Sequence, residues 1–307
     1  MPGSDGVLKY GDGNPRAIAA AHANFVGAQM QGLSLCTTPI ELLSNDGSDT
    51  IISRATGFFC RRGGRLVLVT NHHVVSGRNA LTGEPLSDKG YFPKRIRYYG
   101  ANIVTQEPHV HFSRPPYVLD LERDFQELLE NPPLINGLEV DVWAVPIVPG
   151  SIFEKDPKRT GFVGAAIASC VLDDHLGPPI VTEAGSDCFL LGYPLANYAG
   201  LMPPVWKRGS LASEPILGVD NRPMFLIDAA VTSSMSGSPV IRRVVTFAAD
   251  DREVGALREF TSFDLIGVYA GRLQSMALER VNLGYAWHKS LIDGVLAHYD
   301  YGLLVPS

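Results

Sequence analysis

An all-β chain of two antiparallel six-stranded β-barrels, with a helix at each end, is the fold this sequence predicts. Three observations carry that prediction. Short apolar, β-branched runs recur along the chain with turn residues between them. They divide into two sets, separated by a stretch over 148–164 that carries proline and glycine. The chain has 307 residues, enough for two cores.

Taken in order, residues 1–13 are rich in glycine. Asn14-Pro15 then supplies an N-cap followed by proline at the first helical position. Ile18, Ala21, Phe25 and Val26 recur at helical spacing, which predicts a helix over about 15–30. The first strands are expected near 35–43, 50–60, 65–70, 95–104, 109–112 and 141–147. Leu121–Glu130 reads as a short helix inserted before the last of them, either inert or placed to shade a cleft or carry a regulatory contact. The second set of strands is expected near 165–172, 187–193, 207–214, 223–231, 238–246 and 262–271. Ala248–Glu253 is charged and reads as an exposed hairpin loop. Leu283, Trp287, Leu291, Ile292 and Val295 share a helical face, which predicts a C-terminal helix. The expected divisions are a tail and helix over 1–34, a barrel over 35–150, a barrel over 151–275 and a helix over 276–307.

Composition narrows the function classes. The chain is 45% hydrophobic and 19% charged, an ordinary globular mixture. Its net charge of −6 gives a nucleic-acid partner no electrostatic support. Arg61-Arg62 and Lys94–Arg97 read as solvated strand ends. No apolar run approaches the length of a membrane span, so no membrane partner is expected. The first residues lack a basic region followed by an apolar stretch, so no secretory signal is expected. Cys36, Cys60, Cys170 and Cys188 are spaced too irregularly for a zinc signature or a dense disulfide framework. A reduced, cytoplasmic chain is expected.

Three segments carry chemistry. Leu66–Val69 is a buried-strand run that ends at Thr70-Asn71, and His72-His73 follow at once. A histidine at a strand exit is well placed to act as a general base. Asp141 heads a second apolar strand, Val142–Ile147. A carboxylate beside a neutral imidazole fixes its tautomer. The third segment, Asp228–Val240, presents Ser236 among small residues, followed by Gly237 and closed by Pro239. A nucleophilic serine needs a sharp, uncrowded turn of this kind.

Together these segments resemble the trypsin-like, chymotrypsin-fold serine peptidases, in particular the bacterial HtrA-like and glutamyl-endopeptidase-like branches without a PDZ domain. Their order is His, Asp, Ser. Thr70–Val75 resembles the Thr-x-x-His-Val block, Asp141–Val145 the Asp-x-Ala-hydrophobic block, and Ser236–Pro239 the Ser-Gly-(Gly/Ser)-Pro block. Phe189–Pro194, Arg208–Ser213 and Leu265–Gly271 resemble further strands of the family, so the likeness spans about 50–275. Secreted members often carry a cysteine just after the histidine, where this chain has Val74.

The resemblance implies a serine endopeptidase acting through an acyl-enzyme. His73 is the implied base, Asp141 its orienter and Ser236 the nucleophile, with backbone N–H groups of Ser234 and Ser236 as the oxyanion hole. It implies Ala230, Val231 and Thr232 at the primary pocket, and Tyr269, Ala270 and Gly271 as the edge that pairs with substrate. Arg272 would face inward or out to solvent. The expected partner is a protein or peptide substrate, and no metal or organic cofactor is implied. Two departures matter. The family has glycine where this chain has Ser234, so an oxyanion hole completed by substrate or an activating protein is expected. Met235 stands where zymogen-type members carry an aspartate, so activation by a cut N-terminus is not expected. The rivals are a peptide-binding pseudoprotease of the same fold and a metal-dependent hydrolase using His72, His73, His109 and His111.

Overall fold

The apolar runs pair into two antiparallel six-stranded sheets. The structure, a computed structural model, describes residues 32–44, 48–80, 82–87, 91–106, 109–114, 116–147, 171–194, 203–230, 234–249, 257–272 and 283–299. The helix expected over 15–30 and the linker over 148–164 lie outside them.

A single helical turn, α1 (Gly32–Leu35), leads into β1 (Thr37–Leu43), β2 (Ile51–Arg62) and β3 (Arg65–Thr70). Gly63 and Gly64 link β2 to β3 at φ 54° and 73°, the two positive values that a tight hairpin turn of this length requires. The short helix α2 (His72–Ser76) follows β3 directly and is closed by Gly77 in the left-handed region. Next come β4 (Arg95–Tyr99), β5 (Asn102–Gln106), β6 (His109–Ser113), β7 (Pro116–Asp120), α3 (Leu121–Glu130), β8 (Leu134–Ile135), β9 (Leu138–Glu139) and β10 (Trp143–Ile147). The first sheet runs β10-β3-β2-β1-β4-β7 and is an open half-barrel.

Its sixth strand differs from the expectation. The strand expected over 95–104 breaks at Gly100, and β5 pairs with β6 as a separate ribbon. The place expected for 109–112 is taken by β7, whose proline opens an edge strand, where a missing N–H costs no ladder bond. The inserted helix α3 forms as expected, with the Asp120 side chain capping the Arg123 N–H at 3.0 Å. It packs behind α2 and sets Phe125 edge-on to Trp143.

The described part of the second half begins at Val171 and a 3₁₀ turn, Leu172–His175, where the end of a strand over 165–172 was expected; residues 165–170 lie outside the described ones. Six strands follow: β11 (Asp187–Gly192), β12 (Val205–Leu211), β13 (Met224–Asp228), β14 (Pro239–Ala249), β15 (Leu257–Arg272) and β16 (Leu283–His288). They close in the order β11-β12-β13-β16-β15-β14, with Phe189 and Leu190 of β11 pairing back onto Ile241 and Val240 of β14. The closing strand β16 corrects the sequence reading, which made Leu283 onward a helix. The helix, α4 (Leu291–His298), starts only after a two-residue turn.

Strands of the first sheet divide their side chains between two cores. Phe58, Cys60, Val67, Val69 and Ala144 face the second barrel and α4. Phe59, Leu68, Trp143 and Val145 fill the first barrel. Both faces are buried, which is why these strands read as continuous apolar runs and not as alternations.

Candidate active site

The strand pairing explains how His73 and Asp141 meet. β3 and β10 are antiparallel neighbours, with Thr70 opposite Trp143. The residues just past the end of β3 therefore lie beside those just before the start of β10. Asp141 is fully buried, and each of its carboxylate oxygens receives a bond from His73. One accepts the backbone N–H at 2.8 Å, and the other meets ring Nδ1 at 2.7 Å. An ionised carboxylate only accepts, so Nδ1 carries the hydrogen, and whenever the ring is neutral Nε2 presents the lone pair. Asn71 adds a third tie, its side-chain amide donating to the Asp141 carbonyl at 2.7 Å. The neighbouring histidines diverge. His73 lines a cleft of about 810 Å³ together with Ser234 and Ser236, whereas His72 lines a separate cavity of about 450 Å³ against α3. Among the described residues, none of α3 lines the larger cleft. His109 and His111 lie on β6, and their side chains fall outside the described residues.

Ser236 sits in a four-residue turn closed by the Ser238 N–H donating to the Met235 carbonyl at 3.0 Å. Gly237 takes the third place at φ 86°, a value suited to glycine. A Cβ there would collide with the Thr56 carbonyl oxygen. Ser234 is also at positive φ, 72°, although it is not glycine. It thus adopts, at some strain, the kind of geometry that glycine takes freely. The N–H groups of Ser234 and Ser236 meet no backbone acceptor among the described residues. Met235 is buried in the core of the second barrel with Cys188, Leu190 and Tyr269.

Thr56, a residue the sequence reading did not single out, holds this turn from the first sheet. Its N–H donates to the Ser236 carbonyl at 2.9 Å. Its hydroxyl donates to the Ser234 carbonyl at 2.9 Å and accepts the Tyr193 N–H at 3.1 Å. Its carbonyl accepts the Thr70 hydroxyl at 2.8 Å, which ties the arrangement to the end of β3. Nothing in Ala55-Thr56-Gly57 marks a threonine as a cross-barrel anchor.

The Ser236 hydroxyl donates to the Ala270 carbonyl at 2.9 Å. That carbonyl is available because the β15–β16 register passes from Tyr269 opposite Ala286 to Gly271 opposite Tyr285 and skips Ala270. Such bulges re-aim backbone groups beside functional clefts. Tyr269 is buried, and burial pushes its phenol up to about 12. Burial, and secondarily the Asp141 carboxylate, raises the Tyr285 phenol well above its usual value. Ala230 and Arg272 are exposed, and Val231 and Thr232 lie outside the described residues.

No protein-family model and no curated protein matches the chain. Solved structures do. One is the Rv3671c protease in an inactive form, at 15% identity over 92% of this chain and 92% of that one, with a TM-score of 0.37. Another is the MamO protease domain from Magnetospirillum magneticum in its apo form, at 12% identity over 86% of this chain and 97% of that one, with a TM-score of 0.39.

Proposed function

We propose that this chain is a serine endopeptidase working through His73, Asp141 and Ser236. The observation that carries the reading is the doubly bonded Asp141–His73 pair, opening onto the same cleft as Ser236. With Nδ1–H held by the carboxylate, Nε2 is the base. The Ser236 hydroxyl swings from the Ala270 carbonyl to Nε2 and loses its proton there as Oγ attacks the peptide carbonyl. The N–H groups of Ser234 and Ser236 stabilise the oxyanion. Nε2–H then protonates the leaving amine. Water, deprotonated by the same nitrogen, attacks the ester and frees Ser236. No step needs a metal or an organic cofactor.

On this reading the acyl side of the substrate pairs with Tyr269–Gly271, and the described residue at the primary pocket is Ala230, which offers no carboxylate. Met235, apolar and buried, offers no ion pair to a new N-terminus, so the reading requires no cleavage of the chain. The cytoplasmic setting expected from the sequence is part of this proposal.

One observation favours the rival, a peptide-binding pseudoprotease: the hydroxyl is turned to Ala270 and not to His73. A fluorophosphonate probe separates the two readings. Labelling of the wild type but not of Ser236→Ala, with peptide hydrolysis falling by roughly 10⁴-fold or more in the variant, supports the peptidase. A soluble, folded wild type that neither labels nor cleaves, with or without substrate or a partner protein, leaves the binding protein.

A further inference from the structure

The described lining of the cleft beside Ser236 is one-sided. Apart from Ser234 and Ser236, its lining comes from the first half of the chain, chiefly the start of β2 and the segment that follows α2. Three of the large exposed hydrophobic residues converge there: Ile52 is 36% exposed, and Leu86 and Tyr91 are each 53% exposed. Leu42 and Pro93 complete an apolar floor. Arg54, the one Lys, Arg, Asp or Glu among the described lining residues, is engaged by the buried carboxylate of Glu41 at 3.4 Å. The segment carrying Leu86 is fixed by the Leu86 N–H donating to the Gly77 carbonyl and by Arg78 stacked on the Phe92 ring. An apolar surface that is tied down in this way and continuous with the proposed nucleophile is suited to binding.

The direction of proton transfer says which half of a peptide it takes. The leaving amine receives its proton from His73, so the chain beyond the scissile bond departs on the His73 side, away from Tyr269–Gly271. We infer that this shelf binds the leaving half of the substrate and selects large aliphatic or aromatic side chains in the first two positions after the cleaved bond. The inference rests on the peptidase reading above and adds a specificity to it.

The test uses the full chain and internally quenched peptides with a common acyl half, carrying Leu or Phe against Ser or Asp at those two positions. The expected result is a kcat/KM at least about tenfold higher for the apolar peptides, the scale on which a hydrophobic pocket discriminates. Leu86→Ala combined with Tyr91→Ala is expected to bring that ratio toward one, and both positions are exposed enough to be truncated without opening a core. Equal cleavage of the two peptide sets, or a preference that survives the double variant, overturns the shelf. Absence of both hydrolysis and fluorophosphonate labelling overturns the peptidase reading instead. The shelf is then judged by fluorescence polarisation of a labelled Leu/Phe peptide against its Ser/Asp counterpart. Tighter binding of the first, lost in the double variant, supports it, and equal binding ends it.

Discussion

The two halves of the molecule hold their parts of the site in opposite ways. The first sheet makes its pair from its own strands. His73 and Asp141 stand past the facing ends of β3 and β10, and two bonds from one residue occupy one carboxylate. The second barrel presents Ser236 on a turn that it does not hold alone. Ser234 and Gly237 are both in the left-handed region, and the carbonyls of Ser234 and Ser236 are bound by Thr56 of the first sheet. The imidazole is thus oriented within one sheet, while the hydroxyl is registered across the junction. A small relative shift of the barrels would leave the Asp141–His73 pair intact and displace the Ser236 hydroxyl.

The largest effect expected from this contrast lies on the self-contained side. Asp141→Asn keeps the shape but replaces an acceptor with an amide that can disfavour the Nδ1–H tautomer. Hydrolysis of a peptide substrate is expected to fall by roughly 10⁴-fold in kcat, as it does when a serine peptidase loses its orienting carboxylate. Activity within tenfold of wild type would mean that the pair formed by the first sheet is not the base.

The next effect lies on the junction. Thr56→Val keeps the volume and removes the hydroxyl that joins the Ser234 carbonyl to the Tyr193 N–H. Leaving such buried groups unpaired costs about 1–3 kcal/mol, read as a lower midpoint in urea unfolding. If Thr56 positions the turn, kcat also falls while KM holds, and Thr56→Ser restores both kcat and stability. A variant that loses stability with unchanged kcat would reduce Thr56 to a structural tie.

The same contrast explains what the sequence disclosed. The positions of His73, at a strand exit, and Asp141, at a strand entry, were legible because each stands at one end of an apolar run, and local patterns mark such ends. The small-residue turn at Ser236 was legible for a similar reason. Thr56 and the bulge at Ala270 were not, since both act through contacts between segments far apart in the chain. The closing strand β16 was misread because Leu283 and Trp287 fit the helical spacing of Leu291 and Val295. Trp287 and Ala286 are both fully buried, facing different cores, so no strand alternation shows. Likewise β7 begins at a proline, which reads locally as an interruption and is tolerated only because the strand lies at an edge.

The smallest effect sharpens the strained end of the comparison. Ser234 at φ 72° pays the penalty of a left-handed non-glycine residue, about 1–2 kcal/mol. Glycine removes that strain but gains freedom in the unfolded chain, about 0.5–1 kcal/mol in the opposite sense. Ser234→Gly is therefore expected to shift stability by about 0–1.5 kcal/mol toward the folded state, and to keep the turn and its activity. Ser234→Val is expected to behave differently, because a β-branched side chain resists positive φ. To relieve it the 234 peptide must rotate, and its N–H leaves the place proposed for the oxyanion. Loss of one such donor lowers kcat by about 10²–10³. Measured side by side, the glycine and valine variants separate backbone geometry from the serine hydroxyl, since neither carries one. Equal loss of activity in both would assign the role to the Ser234 side chain and remove strain from the account of this turn.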